Sequence, residues 1–286
     1  MKKIILQLFS CIFMCTGIYA QTFEKQTNPT SDIARFGDIL AGDNMNFALV
    51  KFIDNSGITH EWIHFSSSRG STMFNNFQQF SAVVELTNGS FSGISTPQII
   101  ALSNGGATFA NIDGNNWPDL VQTGYTGNVT YTKVYLSDEN ALFNYSQDLY
   151  GTFRGAVACI PANDGDGIVL TGKNLQDGSY RTKIYSNNNA VMMELFDGDG
   201  GINGSAHAVD VGNGLEPRIH GINAQSIFIN KKHILQTDGT YQQLDTGQVT
   251  VGAGSSLYFD IDNDGDLDWI VAGVITSDPG RPSLIL

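Results

Sequence analysis

Asp260-Ile261-Asp262-Asn263-Asp264-Gly265-Asp266-Leu267-Asp268, followed directly by Trp269-Ile270-Val271-Ala272-Gly273, is the stretch from which the rest of the chain can be read. Carboxylates stand at positions one, three, five and nine, with glycine at six where the chain turns sharply, a spacing that lets them converge on one hard cation. Asp260, Asp262, Asp264 and Asp268 held this close repel one another strongly unless a divalent ion neutralises them. The expected ion is calcium, with the carbonyl of Asp266 as a fifth ligand. A helix–loop–helix calcium site places a bidentate Glu at position twelve and continues into a helix. Here position twelve is Val271, inside an apolar, branched run, so the loop is expected to feed a β-strand. The alternative is a solvated Asp/Gly turn, against which the repulsion among alternate carboxylates argues.

Working outward, the apolar segment before this loop has counterparts upstream. Ala48–Phe52, Ala107–Asn111, Ala156–Ile160, Ala206–Asp210 and Ser256–Asp260 correspond, with starts 59, 49, 50 and 50 residues apart. Each is followed by a polar loop and a second apolar segment, including Trp62–Phe65, Leu120–Gly124, Ile168–Gly172 and Arg218–Gly221. Third segments also match, Tyr131–Tyr135 with Arg181–Tyr185, and a fourth begins near Asn88-Gly89-Ser90-Phe91. Asn88-Gly89, Asp177-Gly178 and Asp238-Gly239 sit where hairpin turns belong. No stretch has a helical period. Units of four short strands at this spacing predict an all-β chain, a β-propeller of about five four-stranded blades.

These units resemble the FG-GAP/VCBS repeats, the calcium-binding blades of the integrin α-subunit propeller and of many secreted bacterial proteins. The match is carried by Asp260 to Gly273, with the pattern Asp-x-Asp-x-Asp-Gly-x-x-Asp, an apolar strand and glycine; the other four units match more loosely. In the second unit, Asn111, Asp113, Asn115 and Asp119 keep oxygen side chains at one, three, five and nine. Two carboxylates have become amides and Asn116 replaces the glycine, a residue that tolerates the left-handed turn, so a weaker calcium site is expected there. In the first unit Asp54, Ser56 and Glu61 offer three oxygens while Phe52 takes the first ligand position. The third loop (Asn163–Gly167) and the fourth (Asp210–Glu216) are shorter and read as turns without an ion. Asp197–Gly201 reads as a solvated loop between units.

Residues 1–20 have a basic start, a short apolar core and a small residue at Ala20, as a secretory signal peptide does. The propeller is expected over 21–286, in a secreted or cell-surface protein with no membrane span, the apolar run being too short to cross a bilayer. Cleavage after Ala20 would remove Cys11 and Cys15, leave Cys159 as a small packed residue, and exclude an intrachain disulfide. The formal charge of −13 becomes −15 without Lys2 and Lys3, which disfavours nucleic acid as a partner.

The last unit offers only three strands, ending at Arg281–Leu286. A five-unit ring would close by pairing residues 22–29 with 282–286; the competing reading is an incomplete arc of a larger propeller. The five histidines show no metalloprotease spacing, and no nucleophile elbow or phosphate loop is present. Trp62, Trp117 and Trp269 are expected to pack rather than to stack on sugars. The function expected is a monomeric, non-enzymatic extracellular binding or adhesion module, its ligand a glycan or a protein. The alternative is a polysaccharide-degrading enzyme of lyase type on the same scaffold.

Overall fold

The computed structural model describes residues 46–67, 80–87, 90–94, 96, 98–162, 165–199, 201–210, 215–223, 227–247, 252–259, 268–274 and 282–285. All lie within one compact unit, Gly42–Leu286. Among the described residues there are nineteen strands and no helix. The first sheet is β1 (Asn46–Ile53), β2 (Thr59–Ser67), β3 (Phe80–Thr87) and β4 (Ser90–Ile94). The second is β5 (Ser103–Ala110), β6 (Asp119–Thr126), β7 (Val129–Leu136) and β8 (Asn144–Leu149). The third is β9 (Phe153–Ile160), β10 (Gly167–Lys173), β11 (Tyr180–Asn188) and β12 (Val191–Asp199), and the fourth is β13 (Asn203–Asp210), β14 (Leu215–Ile222), β15 (Phe228–Leu235) and β16 (Tyr241–Asp245). The fifth, of three strands, is β17 (Gly252–Phe259), β18 (Asp268–Val274) and β19 (Pro282–Ile285). Within each sheet every strand pairs antiparallel with its neighbour in sequence, so the four-strand repeat predicted from spacing is the unit of the first four sheets.

The first strands pack on one another in order: β1 on β5, β5 on β9, β9 on β13 and β13 on β17. A second strand therefore lies in a sheet covered on both sides, and β6 and β10 are buried almost throughout their length. Their sequences, Leu120-Val121 and Ile168-Val169-Leu170, are accordingly apolar runs rather than alternations. Between the first two sheets lies a core of Ala48, Trp62, Phe109, Leu120 and Tyr135; between the second and third, Val121, Val134, Val157, Ile168 and Leu170; between the third and fourth, Ile160, Val169, Ile184, Ala206 and Ile219.

These contacts correct the repeat alignment. Ala48, Val50 and Phe52 face the following sheet, as do Ala156, Ala158 and Ile160, whereas Ala107, Phe109, Ala206 and Ala208 face the preceding one. Matching alanine to alanine thus slips the first-strand register by one residue between units, and in a strand such a slip exchanges the two faces. The glycines give the register. Gly155 lies so close to β10 that an added Cβ would come 2.0 Å from the Thr171 carbonyl oxygen; Gly105 and Gly204 make the same approach to Thr123 and His220, at 2.1 and 1.8 Å. Gly204 pairs directly with Gly221, and in the first sheet this cross-strand pair is Phe47 with Phe65. The face of β1 that would meet a preceding sheet is correspondingly bare: Phe47, Leu49 and Ile53 are 53%, 39% and 63% exposed.

Hydroxyls join consecutive units. The Ser66 Oγ accepts from Leu102 N–H at 2.7 Å, Thr123 Oγ1 from Thr152 N–H at 3.2 Å, and Thr171 Oγ1 from Ile202 N–H at 3.0 Å, in each case where the chain enters the next unit. Replacing Thr171 by Val keeps the shape but leaves the buried Ile202 N–H unpaired, at an expected loss of about 1–3 kcal/mol. Urea denaturation of Thr171→Val measures it; an unchanged midpoint would show that another acceptor takes over.

Asp197 to Asp199 correct a further expectation. They form the end of β12, opposite Lys183, Thr182 and Arg181, rather than a loop between units. Asp197 pairs with Lys183 at 3.0 Å, so its charge is met across the strands.

Candidate functional site

The loop between β5 and β6 is the best-described of the predicted ion loops. Asn111 Oδ1 accepts from Gly114 N–H at 2.9 Å, Asp113 Oδ1 from Asn115 N–H at 3.1 Å, and Asn115 Oδ1 from Trp117 N–H at 2.7 Å. Short acidic and amide side chains favour such bonds to backbone a few residues on, which is why this sequence curls instead of extending. Gly114 and Asn116 both have positive φ, 76° and 67°, so Asn116 does take the left-handed conformation expected of it.

Asp119 is the centre of the loop. It is the first residue of β6, fully buried, and three backbone amides converge on its carboxylate: Ile112 and Asp113 on Oδ2 at 2.7 and 3.2 Å, Ser137 on Oδ1 at 2.7 Å. Burial raises its pKa to about 7, the Ser137 bond opposes this, and the Asp113 charge adds to it. Burial also raises Asp113. Two carboxylates thus stand close enough to repel, Asp119 buried among backbone amides and Asp113 exposed, with the Asn115 Nδ2 donating to Asp113 Oδ2 at 3.0 Å. An all-oxygen donor set of Asn111, Asp113, Asn115 and Asp119 with a shortage of positive charge fits a hard cation. Only two of the four are anionic, which fits weak rather than tight binding.

The third unit is fastened to this loop. Asp166 Oδ2 accepts from Asn111 N–H at 2.7 Å, Asp166 N–H donates to the Asn111 carbonyl at 2.8 Å, and Asn187 Nδ2 donates to the Ile112 carbonyl at 2.5 Å. Asp166 thereby clamps the two units together; Asn163 and Asp164 of the third loop lie outside the described residues. Cys159 donates to the same carboxylate at 3.2 Å; burial and the Asp166 charge push its thiol far up, so it is a packed residue and a poor nucleophile.

Of the fifth-unit ligands, Asp260, Asp262, Asp264 and Asp266 lie outside the described residues. Asp268 opens β18 opposite Phe259, the place Asp119 holds opposite Ala110. The ninth position of both loops is therefore the first residue of a second strand.

The first-unit oxygens do not converge. Asp54 Oδ1 accepts from Ser56 and Ile58 N–H, both at 2.8 Å, closing a tight turn, while Glu61 lies along β2 and pairs with Lys51 at 2.8 Å. His60 bridges Asp54 and Glu85, at 3.3 and 2.5 Å; burial lowers its pKa, but the two carboxylates outweigh this and the net shift is upward. The tryptophans pack as expected. Trp62 is 1% exposed and meets Phe52, Phe109 and Phe143, while Trp117 rests on Phe52 and His60.

One cluster was not legible in the sequence. At the junction of the fourth and fifth units, Tyr258 Oη lies 2.9 Å from His220 Nε2 and 3.4 Å from Arg218 Nη1; His207 Nε2 lies 2.7 Å from Ser256 Oγ; and Trp269 lies against His220, ring centroids 4.7 Å apart. Its members come from four strands with no local motif, and only the three-dimensional register brings them together. Burial lowers His220 to about 3 and His207 to about 4, and raises Tyr258.

No family model matches this chain, and no curated protein matches it.

Proposed function

We propose that this chain is a calcium-binding β-propeller of five blade units that acts outside the cell as a non-enzymatic binding module. The succession of first strands packed face to face supports the propeller, and in a closed ring the fifth unit would cover the bare apolar face of β1. The observation that carries the metal reading is Asp119: a buried carboxylate with three amide donors, a like charge beside it and a pKa lifted to about 7. Asn111, Asp113, Asn115 and Asp119 would hold one ion weakly. Asp260, Asp262, Asp264 and Asp268 with the Asp266 carbonyl would hold another more tightly, having four carboxylates. The ion would supply positive charge, and the loop side chains and carbonyls the oxygen shell around it. The chain's own contribution is the clamp, in which Asp119 gathers the loop amides and Asp166 and Asn187 tie the loop to the next unit.

The polysaccharide-lyase reading rests on one observation, the Arg218–Tyr258–His220 contact, since a tyrosine beside a histidine and an arginine can move a proton. Burial raises Tyr258 and lowers His220, which moves both away from the values a working base and acid need near neutral pH. The binding-module reading is therefore preferred.

Calorimetry on metal-stripped protein is expected to show calcium-dependent heat, and folding stability to rise by about 2.7 kcal/mol at a hundredfold excess over the dissociation constant, with a higher melting temperature. Asp262→Ala with Asp264→Ala should remove the tighter phase and Asp119→Asn the weaker one. Absence of any calcium-dependent heat would overturn the metal reading.

A further inference from the structure

Between the first and second units lies a cleft of about 640 Å³, bordered by Ser81, Thr96, Gln98, Thr126, Tyr131 and Lys133. It lies within the size range of small-molecule sites. Its floor is the segment Ile99–Ala101, and that floor is fixed: Tyr135 Oη accepts from Ile100 N–H at 3.1 Å, and Gln122 Nε2 donates to the Ile100 carbonyl at 2.8 Å.

The connection beside the cleft is short. At the next junction the β10–β11 turn runs from Asn174 to Ser179 and lies over the preceding unit: Gln176 Nε2 donates to the Thr130 carbonyl at 3.0 Å, Gln176 Oε1 accepts from Thr130 Oγ1, and Tyr150 Oη meets Ser179 Oγ at 2.7 Å. Ser81 is the second residue of β3 as Thr130 is of β7. The β6–β7 connection, however, is the two-residue turn Gly127-Asn128, with φ of 58° and 71°, joining Thr126 directly to Val129. It is two residues against the six of Asn174–Ser179.

The geometry points to this cleft as the subsite for a neutral saccharide, a proposal that rests on the binding-module reading and names its ligand class. Hydroxyls, a carboxamide and one aromatic ring around a rigid backbone floor suit a ligand that is all hydroxyl groups on a C–H-rich ring. The ammonium of Lys133 does not favour an acidic sugar. It already pairs with Asp148 at 2.6 Å and lies over the rings of Tyr131 and Tyr145, 5.1 and 4.8 Å from their centroids. The formal charge of −13 opposes a polyanion as well.

The test is calorimetric titration of the full mature chain with glucose, mannose and xylose hexamers and, separately, with polygalacturonate, in calcium and in chelator. Binding of a neutral hexamer is expected, weakened tenfold or more in Tyr131→Ala and in Gln98→Ala and retained in Tyr131→Phe, with melting temperatures confirming that the variants fold. No binding of any neutral hexamer, tighter binding of polygalacturonate, or affinity indifferent to both variants would overturn the proposal. Product analysis on the same samples separates it from the reading beneath it: cleavage of a hexamer that the cleft variants still weaken would overturn the non-enzymatic module while supporting the cleft.

Discussion

Lowering the pH from about 7.5 to about 5 is expected to remove about 5 kcal/mol of folding stability, all of it through histidines that burial holds neutral. His64, His220 and His233 are buried, and burial depresses their pKa values from 6.5 to about 3, 3 and 4. Because the folded values lie below the unfolded one, the unfolded chain binds more protons in this window. Stability is thus fully present above about pH 6.5 and falls as the pH drops toward the folded values. Each of the three contributes about 2 kcal/mol at pH 5, and His207, lowered to about 4, acts in the same sense. Asp119 works in the opposite direction. Its folded pKa of about 7 lies above the unfolded 3.8, so its protonation favours the folded chain and returns about 2–3 kcal/mol over the same range. His60, whose pKa Glu85 and Asp54 hold up, sides with Asp119, so the net slope is a contest that the four lowered histidines win by number. Urea denaturation in chelator at half-unit pH steps measures it, and a flat profile between pH 7.5 and 5 would contradict the burial of the imidazoles.

Gly155→Ala is expected to cost at least about 3 kcal/mol, an unusually large effect for one methyl group. The added carbon would sit 2.0 Å from the Thr171 carbonyl oxygen and 2.5 Å from Thr152 Oγ1, and the first of these is backbone that cannot rotate away. β9 and β10 would have to part, and Thr171 with them, breaking the bond it makes to the Ile202 amide. Gly239→Ala is the control. Gly239 has a φ of 83° and nothing within 4 Å of the new carbon, so only left-handed strain of about 1 kcal/mol applies. If the two substitutions shift thermal melting equally, the close approach of the strands is not what Gly155 provides.

The all-β class, the four-strand unit and the two-residue and longer turns could be read from spacing, because alternation and turn residues are local properties. Register could not. Alanines occur on both faces of the first strands, so aligning Ala48 with Ala107 matched a forward-facing residue to a backward-facing one, and only cross-sheet contacts distinguish them. Gly105, Gly155 and Gly204 would have given the right phase, since their spacing reflects a steric demand and not a shared apolar character. The loops expected to hold ions were picked out by oxygen spacing, and what the structure bears out is the strand that follows, since Asp119 and Asp268 both open a second strand. In the first-unit loop, where Phe52 takes the first ligand position, the remaining oxygens are engaged elsewhere. Asp54 spends its carboxylate on its own turn, and Glu61 is already on a strand, where its side chain answers Lys51. Neither the junction cluster around His220 nor the cleft at Tyr131 has a local motif, because each is assembled from strands of two units.

Ser66, Thr123 and Thr171 each belong to one unit and hold the entry to the next, so no unit is sealed until its successor has docked. The molecule then behaves as a short row of coupled segments whose cohesion is a nearest-neighbour quantity. The second and third segments, flanked on both sides, can open only by breaking two seams. The first, whose outer apolar face is bare among the described residues, is held by one such seam in an open row and by two in the closed ring proposed above, so ring closure would turn the easiest place for local opening into one as guarded as the rest.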